Sequence, residues 1–257
     1  RYGTGERINI MSGKITANGG PSGAGIGGGR RGSGNYISVY GGEIDAQGGD
    51  FAAGIGSGFT QSAKSIRIYG GTVNAKAGSG GAGIGSGAVN TEDEAKNISV
   101  SDIEISGGMV TAEGRTSGAG IGGGQFVRAD NIKITGGTVN ARSTYGGAGI
   151  GGGSDAIGHN ITISGGDVYA KSYGGAGIGS GSGDTKNDSK KGAVTINITD
   201  GTIEKAEGKD GGAGIGSGYY GRSSTVNISG NAELKDVKGG NLAAGIGSGY
   251  DSGKVDV

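Results

Sequence analysis

The chain has 257 residues, 23 acidic against 23 basic, with 68 glycines, one proline and neither cysteine nor tryptophan. Glycine at that level points to collagen, disorder or a repeat fold; collagen is excluded because glycine does not fall at every third position and proline is nearly absent. The balanced charge provides no summed field for nucleic acid or an anionic membrane, and no apolar run is long enough to span a bilayer.

Disorder is excluded by isoleucine, valine and alanine recurring at fixed offsets, which a chain unable to bury apolar surface would not need. Taken in chain order, each unit opens on an alternating apolar pair, Ile8/Ile10, then Ile37/Val39, Ile66/Ile68, Ile103/Ile105, Ile132/Ile134, Ile161/Ile163, Ile196/Ile198 and Val226/Ile228. Period-two alternation predicts a strand, because successive strand side chains point to opposite faces. A turn at Ser12-Gly13, or at a glycine pair such as Gly41-Gly42, leads to a second alternation, Ile15/Ala17, Ile44/Ala46, Val73/Ala75. A third block, GAGIG followed by Ser-Gly or Gly-Gly, places Ala24/Ile26, Ala53/Ile55 and Ala82/Ile84 inward on a third strand whose outer face and corners, being mostly glycine, are almost bare.

One apolar pair per side cannot bury itself, whereas stacking units about 4.8 Å apart buries all three sides and pairs each strand with its neighbours. The expected fold is all-β: a right-handed parallel β-helix, or β-solenoid, of eight three-sided coils with a 29-residue period. Extra residues in Ile203-Glu204-Lys205-Ala206 and in Gly230-Asn231-Ala232-Glu233-Leu234 predict local bulges. The array reads as one solenoid domain over 1–257, cut in phase and without capping units. A longer multidomain parent, or end-to-end contact between solenoids, is therefore expected.

The phrases ISGGMVTA (105–112), ITGGTVNA (134–141) and ISGGDVYA (163–170), each followed by GAGIGGG or GAGIGSG, resemble repeat regions of large secreted or wall-attached bacterial proteins often labelled carbohydrate-binding. The resemblance spans essentially the whole chain. It implies export, a bacterial surface location and glycan binding, and it transfers no catalytic residue. GGAGIGSG is also similar to calcium-binding nonapeptide repeats, but the ligating aspartate is replaced by glycine, as at Gly85 and Gly216, so no calcium turn is expected.

Binding groups on a solenoid collect in the loops of one face. Most connections after the third strand run seven residues, among them 125–131 and 154–160, while 88–102 and 182–195 are enlarged. Three coils apart, about 14 Å along the rod, the two insertions would wall a shallow cleft. Its floor would hold Phe126, Arg128, Asp130, Asp155 and His159, and its walls Glu92, Asp93 and Asp184. A second exposed cluster is Tyr219, Tyr220 and Arg222, with Tyr250 at the equivalent place one coil on, and Tyr40 with Tyr69 should stack as a ladder.

His159 is the one histidine, and a lone imidazole without cysteine cannot build a zinc site, so no metal or cofactor is expected. Carboxylates such as Asp130 with Asp155, or Asp102 with Glu104, are candidates for glycosidase or lyase chemistry, but no spacing singles out a pair and no catalytic residue is assigned. The expected function is a secreted or surface-displayed structural and adhesive scaffold, its partner an extracellular glycan or a host or cell-surface protein. The alternative is a polysaccharide-cleaving β-helix enzyme.

Overall fold

The computed structural model describes residues 3–183, 194–221, 224–252 and 254–257. Eight coils stack in three parallel ladders. The first runs through Gly5–Ile10, Gly34–Val39, Ala63–Ile68, Ser99–Ile105 and Arg128–Ile134 into Gly158–Ser172, Val194–Gly208 and Ser224–Ile228. Its register sets like on like: Ile8 opposite Ile37, Ile37 opposite Ile66, Ile103 opposite Ile132, Ile161 opposite Ile196. The second ladder begins with Lys14–Asn18 and Glu43–Gln47, pairing Ile15 with Ile44 and Ala17 with Ala46. The two ladders merge where Gly158–Ser172 and Val194–Gly208 run unbroken around the corner. The third is a ladder of two-residue strands from Ile26–Gly27 to Ile246–Gly247.

The isoleucines and valines of all three ladders form one continuous core; Ile37, Ile44, Ile55, Ile121 and Ile150 are completely buried. Each such side chain contributes about 1.5–3 kcal/mol relative to exposure, so the stack, and not any single coil, carries the stability. In the terminal coils Ile8, Ile15, Leu234 and Val237 are covered from one side only and stay partly exposed.

Two glycine positions make the turns. The second residue of the corner pair takes positive φ in the first seven coils, from 106° at Gly13 to 83° at Gly201, which a side chain would oppose. The glycine after each third-strand isoleucine sits at φ between 133° (Gly216) and 142° (Gly85), and in the first seven coils a Cβ there would overlap the carbonyl of the equivalent glycine one coil on.

Both anticipated irregularities are present. Val168 pairs with Ile203 but Tyr169 with Lys205, leaving Glu204 as the bulged residue, and coil eight takes its extra residue at the corner before Glu233–Leu234.

Two expectations are corrected. The stretches 125–131 and 154–160 are not wholly loop: Arg128, Asp130 and His159 lie on strands that begin at Arg128 and Gly158. Asn131 and Asn160, with φ of 57° and 58°, insert a left-handed residue into the strand, so that Ala129 and Ile132 both face the core. Strict alternation fails at that residue, which hides the first half of the strand. Arg7, Tyr36, Ser65 and Asp102 occupy the same left-handed position in the earlier coils.

The third side is not bare either. Residues such as Ala52, Ala53, Gly54, Gly56 and Ser57 are all buried. Each GAGIG block is a tucked turn closed by its own backbone bond: the amide of Ala53 donates to the carbonyl of Ser57 (3.1 Å), Ala119 to Gly123 (2.9 Å) and Ala213 to Ser217 (2.9 Å). The connections entering and leaving the turn then meet over it.

Candidate functional site

Where those connections meet, a fourth backbone ladder forms. The amide of Phe59 donates to the carbonyl of Ser22 (3.1 Å), Gln125 to Gly80 (2.8 Å), Ser154 to Ser117 (2.7 Å), Ser182 to Gly146 (2.7 Å), Tyr219 to Gly174 (3.0 Å) and Tyr250 to Gly211 (2.7 Å). Each bond joins the connection after one third strand to the connection before the third strand of the preceding coil. Beneath the ridge, buried serines take amides from the next coil: Gly87 N–H donates to Ser57 Oγ (3.1 Å), Gly124 to Ser86 (3.0 Å) and Gly218 to Ser180 (2.9 Å). The outer connections are thereby held in register over a buried floor.

Aromatic side chains gather on this ridge. All three phenylalanines and five of the ten tyrosines of the chain lie in its two connections. Tyr145 and Tyr173 stack at 5.7 Å between centroids with planes 12° apart, and the Lys209 ammonium stands 5.7 Å from the centroid of Tyr173. Tyr219 and Tyr250 stack at 5.4 Å and 12°, with Tyr220 edge-on to Tyr219 at 4.2 Å. Hydrogen bonding to Tyr220, followed by desolvation, pushes the Tyr219 phenol up to about 12, so it stays neutral at physiological pH. Phe51 and Phe59 meet at 5.2 Å. Tyr145 is 60% exposed, which leaves ring surface open to a ligand.

Sequence reasoning found Tyr219, Tyr220 and Tyr250 but passed over Tyr145, Tyr173, Phe51 and Phe59. A signal was present: Tyr145 and Tyr173 each lie five residues before their third-strand isoleucine, Ile150 and Ile178, and Phe59, Tyr219 and Tyr250 each lie four after theirs. The Tyr40–Tyr69 ladder forms as expected at 4.9 Å and 16°, on a separate corner of the solenoid.

The other candidates divide. Arg128 grips Asp130, Nε to the two carboxylate oxygens at 2.7 and 2.9 Å, and His159 Nδ1 lies 3.4 Å from the same Asp130 Oδ1. These three form one polar cluster on the first ladder. Phe126, with φ of 62°, is partly buried against the core next to fully buried Val127. Asp155 sits beside Gly183 in the neighbouring connection. In the insertion 88–102 a single helical turn, Glu92–Ala95, is capped by Thr91 Oγ1 receiving the Glu94 amide (3.3 Å). Glu92 and Asp93 on that turn are exposed, and Asp93 is held below the usual carboxylate value by its hydrogen bond and ion pair with Lys96. Ala95 and Ile98 fold back against the core. Asp184 and Arg222, together with residues 184–193 of the second insertion, lie outside the described residues.

The carboxylates considered for hydrolytic chemistry have other partners: Asp130 pairs with Arg128, Glu104 with Arg67 (3.5 Å), and Asp102 accepts from Asn131 (3.1 Å). Among the described residues no three histidine, aspartate or glutamate side chains converge as a metal-ligand set, and no helix is long and apolar enough to cross a membrane.

Three parallel ladders around a shared apolar core, with loops folded over the third, define a β-solenoid repeat protein. A model of the β-helix repeat matches residues 8–30, 37–59, 66–88, 103–125, 132–154, 161–182 and 196–219, one match for each of the first seven coils. The chain therefore belongs to the β-helix repeat family. No curated protein and no solved structure matches it.

Proposed function

We propose that this solenoid is a structural and adhesive scaffold displayed outside a bacterial cell, and that its loop ridge is a binding surface for carbohydrate. The observation that carries the reading is the concentration of aromatic rings on the ridge, with Tyr145 standing 60% exposed. A ring that is apolar on its face and polar at its hydroxyl suits a sugar, whose own surface has apolar C–H patches bordered by hydroxyls. The polar cluster of Arg128, Asp130 and His159 supplies hydrogen-bonding groups on the adjoining side.

A glycan array probed with the purified chain tests this. Binding without turnover, reduced at least tenfold by Tyr145→Ala or Tyr219→Ala, is the expected result. Silence across neutral, acidic and amino sugars would remove the carbohydrate reading. New reducing ends or unsaturated products would replace it with a polysaccharide-cleaving enzyme. Alanine at Phe126 or Arg128 tests the region between the insertions: if binding survives both changes, that region is not the site.

A further inference from the structure

Three pairs of tyrosines stand on adjacent coils with nearly parallel rings: Tyr40–Tyr69 at 4.9 Å and 16°, Tyr145–Tyr173 at 5.7 Å and 12°, Tyr219–Tyr250 at 5.4 Å and 12°. We propose that these pairs are sites of oxidative phenol coupling, at which a carbon–carbon bond between neighbouring coils covalently straps the solenoid. The inference does not depend on what the ridge binds.

Backbone ladders hold the rings together. Tyr69 N–H donates to the Val39 carbonyl next to Tyr40 (2.8 Å), Gly174 N–H donates to the Tyr145 carbonyl next to Tyr173 (2.7 Å), and the amides of Tyr219 and Tyr250 are both tied into the ridge ladder. Fixing two reactants in contact replaces a bimolecular encounter with an intramolecular step. The rings are also within reach of an external oxidant: Tyr40 and Tyr69 are 46% and 42% exposed, and Tyr145, Tyr173 and Tyr250 are exposed as well. Competing side chains are few, since the chain has no cysteine, no tryptophan and two methionines.

The oxidant class is hydrogen peroxide acting through a haem peroxidase. Each phenol gives up one electron and one proton, and the two phenoxyl radicals join through ring carbons ortho to their hydroxyls. Each joined carbon then loses its hydrogen as the ring regains aromaticity, returning a proton to the phenoxyl oxygen. Two ring C–H bonds are broken and one C–C bond is formed. The two electrons and two protons removed reduce one peroxide to two waters.

The structure contains its own controls. Tyr36 and Tyr169 are comparably exposed, but their ladder neighbours are not aromatic: Tyr36 shares its left-handed position with Arg7 and Ser65, and Tyr169 pairs with Asn140 and Lys205. Such a strap would matter most at Tyr219–Tyr250, because the eighth coil's Leu234, Val237 and Ile246 are only partly buried and hold that coil less firmly than the fully buried residues of the middle coils.

The test treats the full chain, at a dilution that suppresses intermolecular reaction, with peroxidase and hydrogen peroxide. The expected result is a monomer lighter by two hydrogens per linkage, with biphenol fluorescence and joined peptides carrying the three named pairs. Tyr69→Phe, Tyr173→Phe and Tyr250→Phe keep the ring contact and should each delete one linkage only. A raised thermal midpoint after oxidation is expected in the parent and should be smaller in Tyr250→Phe. An unlinked monomer under conditions that couple the urea-unfolded chain would overturn the proposal. So would linkage through Tyr36 or Tyr169 at the yield of the named pairs, or products that are only intermolecular.

Discussion

The side-chain amide of Asn131 donates to Oδ1 of Asp102 in the preceding coil at 3.1 Å, and Asn160 donates in turn to Oδ1 of Asn131 at 2.7 Å. All three residues hold left-handed backbone, φ 57–61°, at the same bulge of the first-ladder strands. Asparagine and aspartate are the side-chain-bearing residues that tolerate that conformation best, so the bulge and the hydrogen-bonded column reinforce each other. Asn131→Asp keeps the backbone preference but removes the donor and sets two carboxylates one coil apart. The expected loss is about 1 kcal/mol in urea denaturation, shrinking in high salt as the repulsion is screened.

Gly122 follows Ile121 in the fourth coil at φ 134°, directly under the carbonyl of Gly151. Gly122→Ala would need both an unfavourable backbone conformation and a backbone shift, and should cost at least about 1–3 kcal/mol. Circular dichroism melting should show it as a broadened transition, since a break in mid-array uncouples the coils on either side.

Ile121 itself is fully buried and registers with Ile84 and Ile150. Ile121→Ala is expected to destabilise by about 2–5 kcal/mol, because the fixed coil spacing lets neighbours relax little into the cavity. Ile246→Ala, in the less covered last coil, should cost clearly less in the same denaturation experiment.

Charges on the second ladder tie coil eight to coil seven. Hydrogen bonds from Lys238 and Lys205 depress Asp236, Lys205 is raised chiefly by Asp236, and Lys235 is raised chiefly by Glu204. A depressed carboxylate contributes above its ordinary value of 3.8 and loses that contribution as pH falls through its lower folded value. A raised lysine contributes below its ordinary value of 10.5 and loses that contribution as pH rises through its higher folded value. Amide exchange at Leu234 and Val237 should therefore accelerate at both extremes while Val110 and Val139 remain protected. Equal acceleration at all four would show that these pairs do not fasten the last coil.

Much of this protein could be read from local spacing alone. Inward pairs such as Ile8/Ile10 and Ile44/Ala46 face the core where alternation places them, and one surplus residue at Glu204 makes the bulge its spacing implies. These features were legible because stacking repeats each coil's local pattern. The matches of the β-helix repeat to seven coils rest on the same periodicity. Ring positions were only half legible: Tyr40–Tyr69 and Tyr219–Tyr250 follow from equal offsets, whereas Tyr145–Tyr173 lies in the connection before the third strand, outside the loops after it where binding groups are expected.

By itself, then, the sequence determined the coil count, the strand phase and the inward residues, since a period-two pattern repeated every 29 residues has one consistent way to bury its isoleucines. Only the tertiary structure decided that the GAGIG block tucks inward, that its two connections close over it, and that Arg128, Asp130 and His159 meet across two adjacent strands. The closure consists of backbone hydrogen bonds between coils, such as Tyr250 N–H to the Gly211 carbonyl, and every residue carries those donors and acceptors whatever its side chain. The Asn131 and Asn160 bulges turn on a single left-handed residue each, which breaks alternation without leaving an alternation of its own.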